Sequence, residues 1–141
     1  MIFKFLINGD EEKIISFEKE LLALLEKSLM RNDIIPNEIH FCVHEAILNI
    51  IQHTYKWDFS LPIDIQIVIT DTENNKKVIE IFIKDVGKPI KKELHPPKSL
   101  RPFQMRQRGL YMIAKIMDEF FIKPLDDKSG NLTYMRKEIS L

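Results

Sequence analysis

The sequence predicts an α+β two-layer sandwich: a mostly antiparallel mixed sheet with its helices on one face. Three observations predict it. A short apolar run precedes two long segments whose apolar residues recur at helical spacing. Two segments of alternating isoleucine flank a polar turn and read as a hairpin. A third helical segment and two further strands follow a long aperiodic stretch, giving the order β-α-α-β-β-lid-α-β-β.

The first strand runs from Ile2 to Ile7, with Phe3 and Phe5, and Asn-Gly ends it. From Asp10 to Met30, Ile14, Phe17, Leu21, Leu24, Leu25 and Leu29 mark one helix face. Asp10, Glu11 and Glu12 suit its N-terminus, where the helix dipole favours negative charge. A second helix spans about Pro36 to Tyr55, with the proline in its first turn. With Glu45 as origin and about 100° per residue, Ile39, Val43, Ile47 and Ile50 fall opposite, while Asn49 and His53 fall near 40° and 80°. The helix thus has an apolar face and a narrow polar stripe. No Lys or Arg lies between Arg31 and Lys56, which suggests that the stripe does not simply face bulk water.

Ile63, Ile65, Ile67 and Ile69 alternate with polar or smaller residues and mark a half-buried strand. Asp71 to Lys77 reads as a polar turn, and Ile79, Ile81 and Ile83 mark the returning strand. Asp85 shares their parity and points to the buried face if that strand continues. Periodicity fails from Val86 to Gln107, in a stretch rich in proline. So long an aperiodic connection is expected to be a functional lid, at about 86–108, or a disordered segment. Gly109 opens the third helix, with Leu110, Ile113, Ala114 and Met117 on one side. Phe120 to Lys123, a turn at Asp126 to Gly130, and Leu132 to Ile139 complete the sheet.

At 141 residues the chain suits one domain, 1–141. The 21 basic and 21 acidic residues cancel, which argues against direct nucleic-acid binding. No segment approaches the roughly 18 apolar residues of a membrane span. The opening MIFKFLINGDEEK lacks the pattern of a signal peptide. Cys42 stands alone, so neither an internal disulfide nor a cysteine-built zinc site is expected. A cytoplasmic protein without membrane contact is the expectation.

Four groups of residues could carry chemistry. Glu45 and Asn49, one helical turn apart, could share a site with His53 close by; a satisfied polar stripe is the competing reading. Mg²⁺ takes oxygen ligands and keeps waters and phosphates around it, so one Asn oxygen can suffice from the protein. Asp85-Val-Gly87 places a costly carboxylate on a buried face, where an adenine amino group is one natural partner; a strand-ending turn is the other reading. Arg108, Gly109 and Leu110 start a helix after a stretch, His95 to Met117, that holds five cations and no acid, as a phosphate site or a solvated basic face would. Thr133 shares parity with Met135 and Ile139, so its hydroxyl is expected to face inward, toward Asp85 or a ligand, if it is more than a β-branched strand residue. His40 and His44 lie at i, i+4 but lack an evident third ligand.

In this order the four groups resemble the GHKL (Bergerat-fold) ATPase superfamily, and most of all its small anti-sigma-factor serine kinases. FCVHEAILNIIQHTYK is similar to that family's N box, IEIFIKDVGKPI to its first glycine box, QRGLYMIAKIMDEF to its second, and GNLTYMRKEI to its closing strand. The resemblance implies an ATP- and Mg²⁺-dependent protein-serine kinase with a histidine kinase-like ATPase fold. It implies Glu45 as general base and Asn49 as Mg²⁺ ligand. His53, Arg108, Gly109 and Leu110 fall on the phosphate side, and Asp85, Gly87 and Thr133 at the adenine. It further implies a homodimer that phosphorylates a serine on an anti-anti-sigma (STAS-type) partner and sequesters a sigma factor. Gln107 stands where a glycine is common and Lys91 where an acid is common, features that suit a non-catalytic regulator of the same fold. The catalytic domain of a two-component histidine kinase fits less well, because residues 10–31 hold no phosphoacceptor histidine.

Overall fold

The computed structural model describes residues 1–96 and 108–141. Its elements are β1 (Ile2–Ile7), α1 (Glu11–Leu29), α2 (Ile34–Asn49), β2 (Ile63–Thr72), β3 (Lys76–Asp85), α3 (Arg108–Ile116), β4 (Glu119–Pro124) and β5 (Asn131–Ser140). This is the expected order. The part of the lid at 97–107, including Lys98, Arg101, Gln104, Arg106 and Gln107, lies outside the described residues.

Local chemistry sets the helix ends. Asp10 caps α1, its carboxylate accepting from Lys13 N–H at 3.2 Å, and Met30 closes the helix in the left-handed region at φ 55°. Asp33 caps α2 through Ile35 N–H, so the helix starts two residues before Pro36, which fits its first turn. Beyond Asn49 the helix widens into a π-turn over Ile50–Thr54, closed by Tyr55 N–H to Ile50 O at 2.8 Å. Such turns recur at functional sites.

The strands form one sheet in the order β1-β2-β3-β5-β4, and every pair is antiparallel. The β2–β3 turn is tighter than the sequence suggests. Asn74 and Asn75 take positive φ (68° and 56°), which Asn tolerates, so pairing reaches Thr72 and Lys76. The helices cover one face. Ile63, Ile65, Ile67, Ile79, Ile81 and Ile83 from the sheet meet Leu21, Leu25, Ile39, Val43 and Ile47 from the helices, all buried. Each such side chain contributes about 1.5–3 kcal/mol by leaving water. Cys42 is packed in this core, and burial pushes its thiol up to about 12. At the outer edge of β4, Leu94 exchanges backbone hydrogen bonds with Ile122 at 2.7 and 2.9 Å. Leu94 therefore pairs with that edge at one point.

Candidate functional site

Burial of Ile39, Val43, Ile47 and Ile50 fixes the rotation of α2 and leaves Glu45 and Asn49 half-buried on the other side. Glu45, Asn49, His53, Gly109 and Leu110 line one cleft, together with Leu48 and Gln52. The structure thus joins the polar stripe to the start of α3. The π-turn carries Gln52 and His53, both exposed, so their direction follows the widened turn rather than a regular helix. Gly109 closes the cleft against Glu45: a β-carbon there would stand 2.5 Å from Glu45 Oε2. Asn49 makes no side-chain hydrogen bond to the described residues, so its carboxamide oxygen is available. Arg108 is exposed in the first turn of α3 and does not line the cleft.

The second part lies where β3 ends and β5 begins. Strand β3 continues to Asp85, a residue 2% exposed that turns to the helix-covered face. Its Oδ1 accepts from Gly87 N–H at 2.9 Å and from Asn131 Nδ2 at 3.1 Å. Burial raises the Asp85 pKa from its ordinary value, and hydrogen bonds from the Gly87 backbone, the Asn131 side chain and the Asn131 backbone partly oppose that.

The partner of Asp85 is Asn131, not Thr133. The β3–β5 register sets Asn131 opposite Asp85 and Thr133 opposite Ile83. Asn131 also donates to Lys88 O at 3.1 Å and accepts from Ile90 N–H at 2.9 Å, tying the base of the lid to β5. Sequence reasoning missed this residue, although it shares the inward parity of Thr133. Thr133 is buried, and its hydroxyl makes no hydrogen bond to the described residues.

Asp85, Gly87 and Thr133 do not line the Glu45 cleft. They connect to it through the end of the π-turn. Tyr55 OH donates to Pro62 O and accepts from Val86 N–H at 2.9 Å. Gly87 packs so closely that a β-carbon would meet the Thr54 methyl at 2.2 Å. Its φ is not positive, so close approach, not backbone freedom, requires glycine here. Gly130 is tighter still: a β-carbon would lie 1.8 Å from the Asp85 carbonyl oxygen. The two histidines at i, i+4 find a shared partner that sequence could not show, Glu18 of α1, which contacts both His40 and His44.

A family model described as a histidine kinase-like ATPase domain matches residues 9–137, and the chain belongs to that family. No curated protein matches the chain. Membership implies ATP binding. Among the described residues no helix is long and apolar enough to cross a membrane.

The site's donors suit ATP with Mg²⁺. Glu45 and Asn49 offer hard oxygen ligands in one cleft at the α3 start, and Asp85 and Thr133 place a carboxylate and a hydroxyl at buried positions of the sheet. Among the described residues no three His, Cys, Asp or Glu side chains form a metal cage. One Asn oxygen with phosphate and water ligands is the arrangement that Mg²⁺ commonly takes.

Proposed function

We propose that this chain is an ATP- and Mg²⁺-dependent protein-serine kinase acting as an anti-sigma factor or similar cytoplasmic partner-switching regulator. The observation that carries the reading is the pairing of Glu45 with Asn49 one turn apart in the cleft that the start of α3 closes. In this reading ATP is substrate, and Asp85 accepts from the adenine amino group, with Gly87 and Thr133 alongside. Asn49 holds Mg²⁺, which supplies charge neutralisation on the phosphates when bound. His53, Arg108, Gly109 and Leu110 lie on the phosphate side. Glu45 takes the proton of the partner's serine hydroxyl as its oxygen bonds to the γ-phosphorus; the bond to the β-phosphate oxygen breaks and ADP leaves. The serine belongs to an anti-anti-sigma partner of the STAS type, and the protein, as a homodimer, sequesters a sigma factor.

A nucleotide titration with and without Mg²⁺, followed by a phosphotransfer assay on serine-bearing partners, tests this. Binding that needs Mg²⁺, with transfer to serine, is the expected result. Binding of a sigma factor without transfer to any partner would replace the kinase with a non-catalytic regulator.

A further inference from the structure

The two edges of the sheet differ. Leu94 bridges β4 at Ile122, whereas the outer edge of β1 has no pairing partner among the described residues. Met1 exchanges both backbone bonds with Ile69, Met1 N to Ile69 O at 2.8 Å and Ile69 N to Met1 O at 2.9 Å. Antiparallel pairing alternates, so Phe3, Phe5 and Ile7 bond to β2 while Ile2, Lys4 and Leu6 aim their N–H and C=O groups outward. Ile2 and Leu6 are also 60% and 72% exposed.

Beside this edge, between β1 and α1, runs a groove of about 490 Å³. Phe5 and Phe17 meet edge to face at 5.0 Å in its apolar wall. Asp10, Glu12 and Glu20 line it against one cation, Lys13. The groove is therefore apolar within and acidic at its margin.

We propose that β1 is a docking edge for an extended segment of a partner protein, which joins the sheet as a sixth, antiparallel strand. Main-chain bonding to Ile2, Lys4 and Leu6 supplies the pairing, and alternate side chains supply the choice of partner. On the open face Lys4 selects an acidic residue opposite it. On the helix-covered face the groove selects apolar residues next to Phe5, with a basic residue toward Asp10, Glu12 and Glu20. A second copy of the chain fits poorly. The antiparallel self-pairing that uses all three outward residues sets Lys4 against Lys4, and a two-residue slip uses only two of them. The edge lies outside the Glu45 cleft, so docking there leaves nucleotide binding a separate event.

The probe is a capped heptapeptide, Lys-Ile-Val-Glu-Val-Ile-Arg, which places Glu opposite Lys4. Amide hydrogen exchange on the whole protein should slow by about tenfold or more at Lys4 and Leu6 when the peptide saturates. The amides of Phe3 and Phe5, already bonded to β2, should change little. Lys4→Glu should weaken this peptide by about tenfold or more and restore binding to the version with Lys at its centre. Unchanged exchange at Lys4 and Leu6 would overturn the proposal. So would slow exchange there in the free protein that speeds up on dilution, which would assign the edge to a second copy. Equal binding of both peptides to both proteins would also overturn it, by removing the selectivity that Lys4 is assigned.

Discussion

Gly109 lies against the carboxylate of Glu45, so closely that a β-carbon at this position would stand 2.5 Å from Oε2. The first turn of α3 and the polar stripe of α2 thus meet through a residue without a side chain. The obstructing atom is the end of a flexible side chain, so Gly109→Ala should displace the Glu45 carboxylate rather than unfold the protein. Alanine is also the better helix former by up to about 1 kcal/mol. Thermal melting should therefore show stability unchanged or raised, while phosphotransfer falls. A large loss of melting temperature would show that the Glu45 side chain cannot move aside.

Glu45→Ala separates binding from chemistry. A general base acts mainly in the transition state, and such groups contribute about 10²–10⁴-fold. ATP affinity, measured by calorimetry, should stay within about tenfold, or about 1.4 kcal/mol. Transfer to the partner serine should fall by at least about 10². Transfer at the wild-type rate by the folded variant would remove Glu45 from the mechanism.

Asn49→Ala should lose both ATP affinity and transfer. Its carboxamide makes no hydrogen bond to the described residues, so its removal breaks no hydrogen bond of the described fold. The informative measurement is affinity against Mg²⁺ concentration. Wild type should gain affinity with the metal and the variant should not; an equal gain in both would place the metal ligand elsewhere.

Asp85 carries a prediction of opposite signs for binding and stability. Asp85→Ala should weaken ATP by about 1–3 kcal/mol, the range for leaving a polar partner unpaired, and wild type should bind GTP poorly because guanine lacks that amino donor. Burial raises the Asp85 pKa, so its folded form favours the proton. Its contribution to stability is then fully present below the unfolded value of about 3.9 and is lost as pH rises through the raised folded value. Asp85→Asn keeps an acceptor oxygen without the charge. It should melt at or above the wild-type temperature at neutral pH, with any advantage shrinking as the pH falls and Asp85 takes up its proton. An advantage that grows on acidification would contradict this sign.

Gly130→Ala tests the frame rather than the chemistry. Its β-carbon would stand 1.8 Å from the Asp85 carbonyl oxygen, and backbone cannot swing aside as the Glu45 side chain can. Denaturant unfolding should show a loss of about 2 kcal/mol or more.

The sequence by itself determined the element order, the buried parity of each strand and the rotation of α2. Those are properties of local period: isoleucine every second residue in β2 and β3, and Ile39, Val43, Ile47 and Ile50 at helical spacing, fix which side leaves water. The Glu45–Asn49 stripe was legible for that reason, as the face left over on one helix, and so was the inward direction of Asp85. Only the tertiary structure decided what those residues meet. Asn131 reaches Asp85 across 46 residues of chain through the β3–β5 register, and Gly109 reaches Glu45 through the packing of α3 on α2. Glu18 likewise reaches His40 and His44 only because α1 lies against α2. Period fixes the side to which a residue turns, but its partner depends on strand register and helix packing, which are settled jointly by segments far apart in the chain.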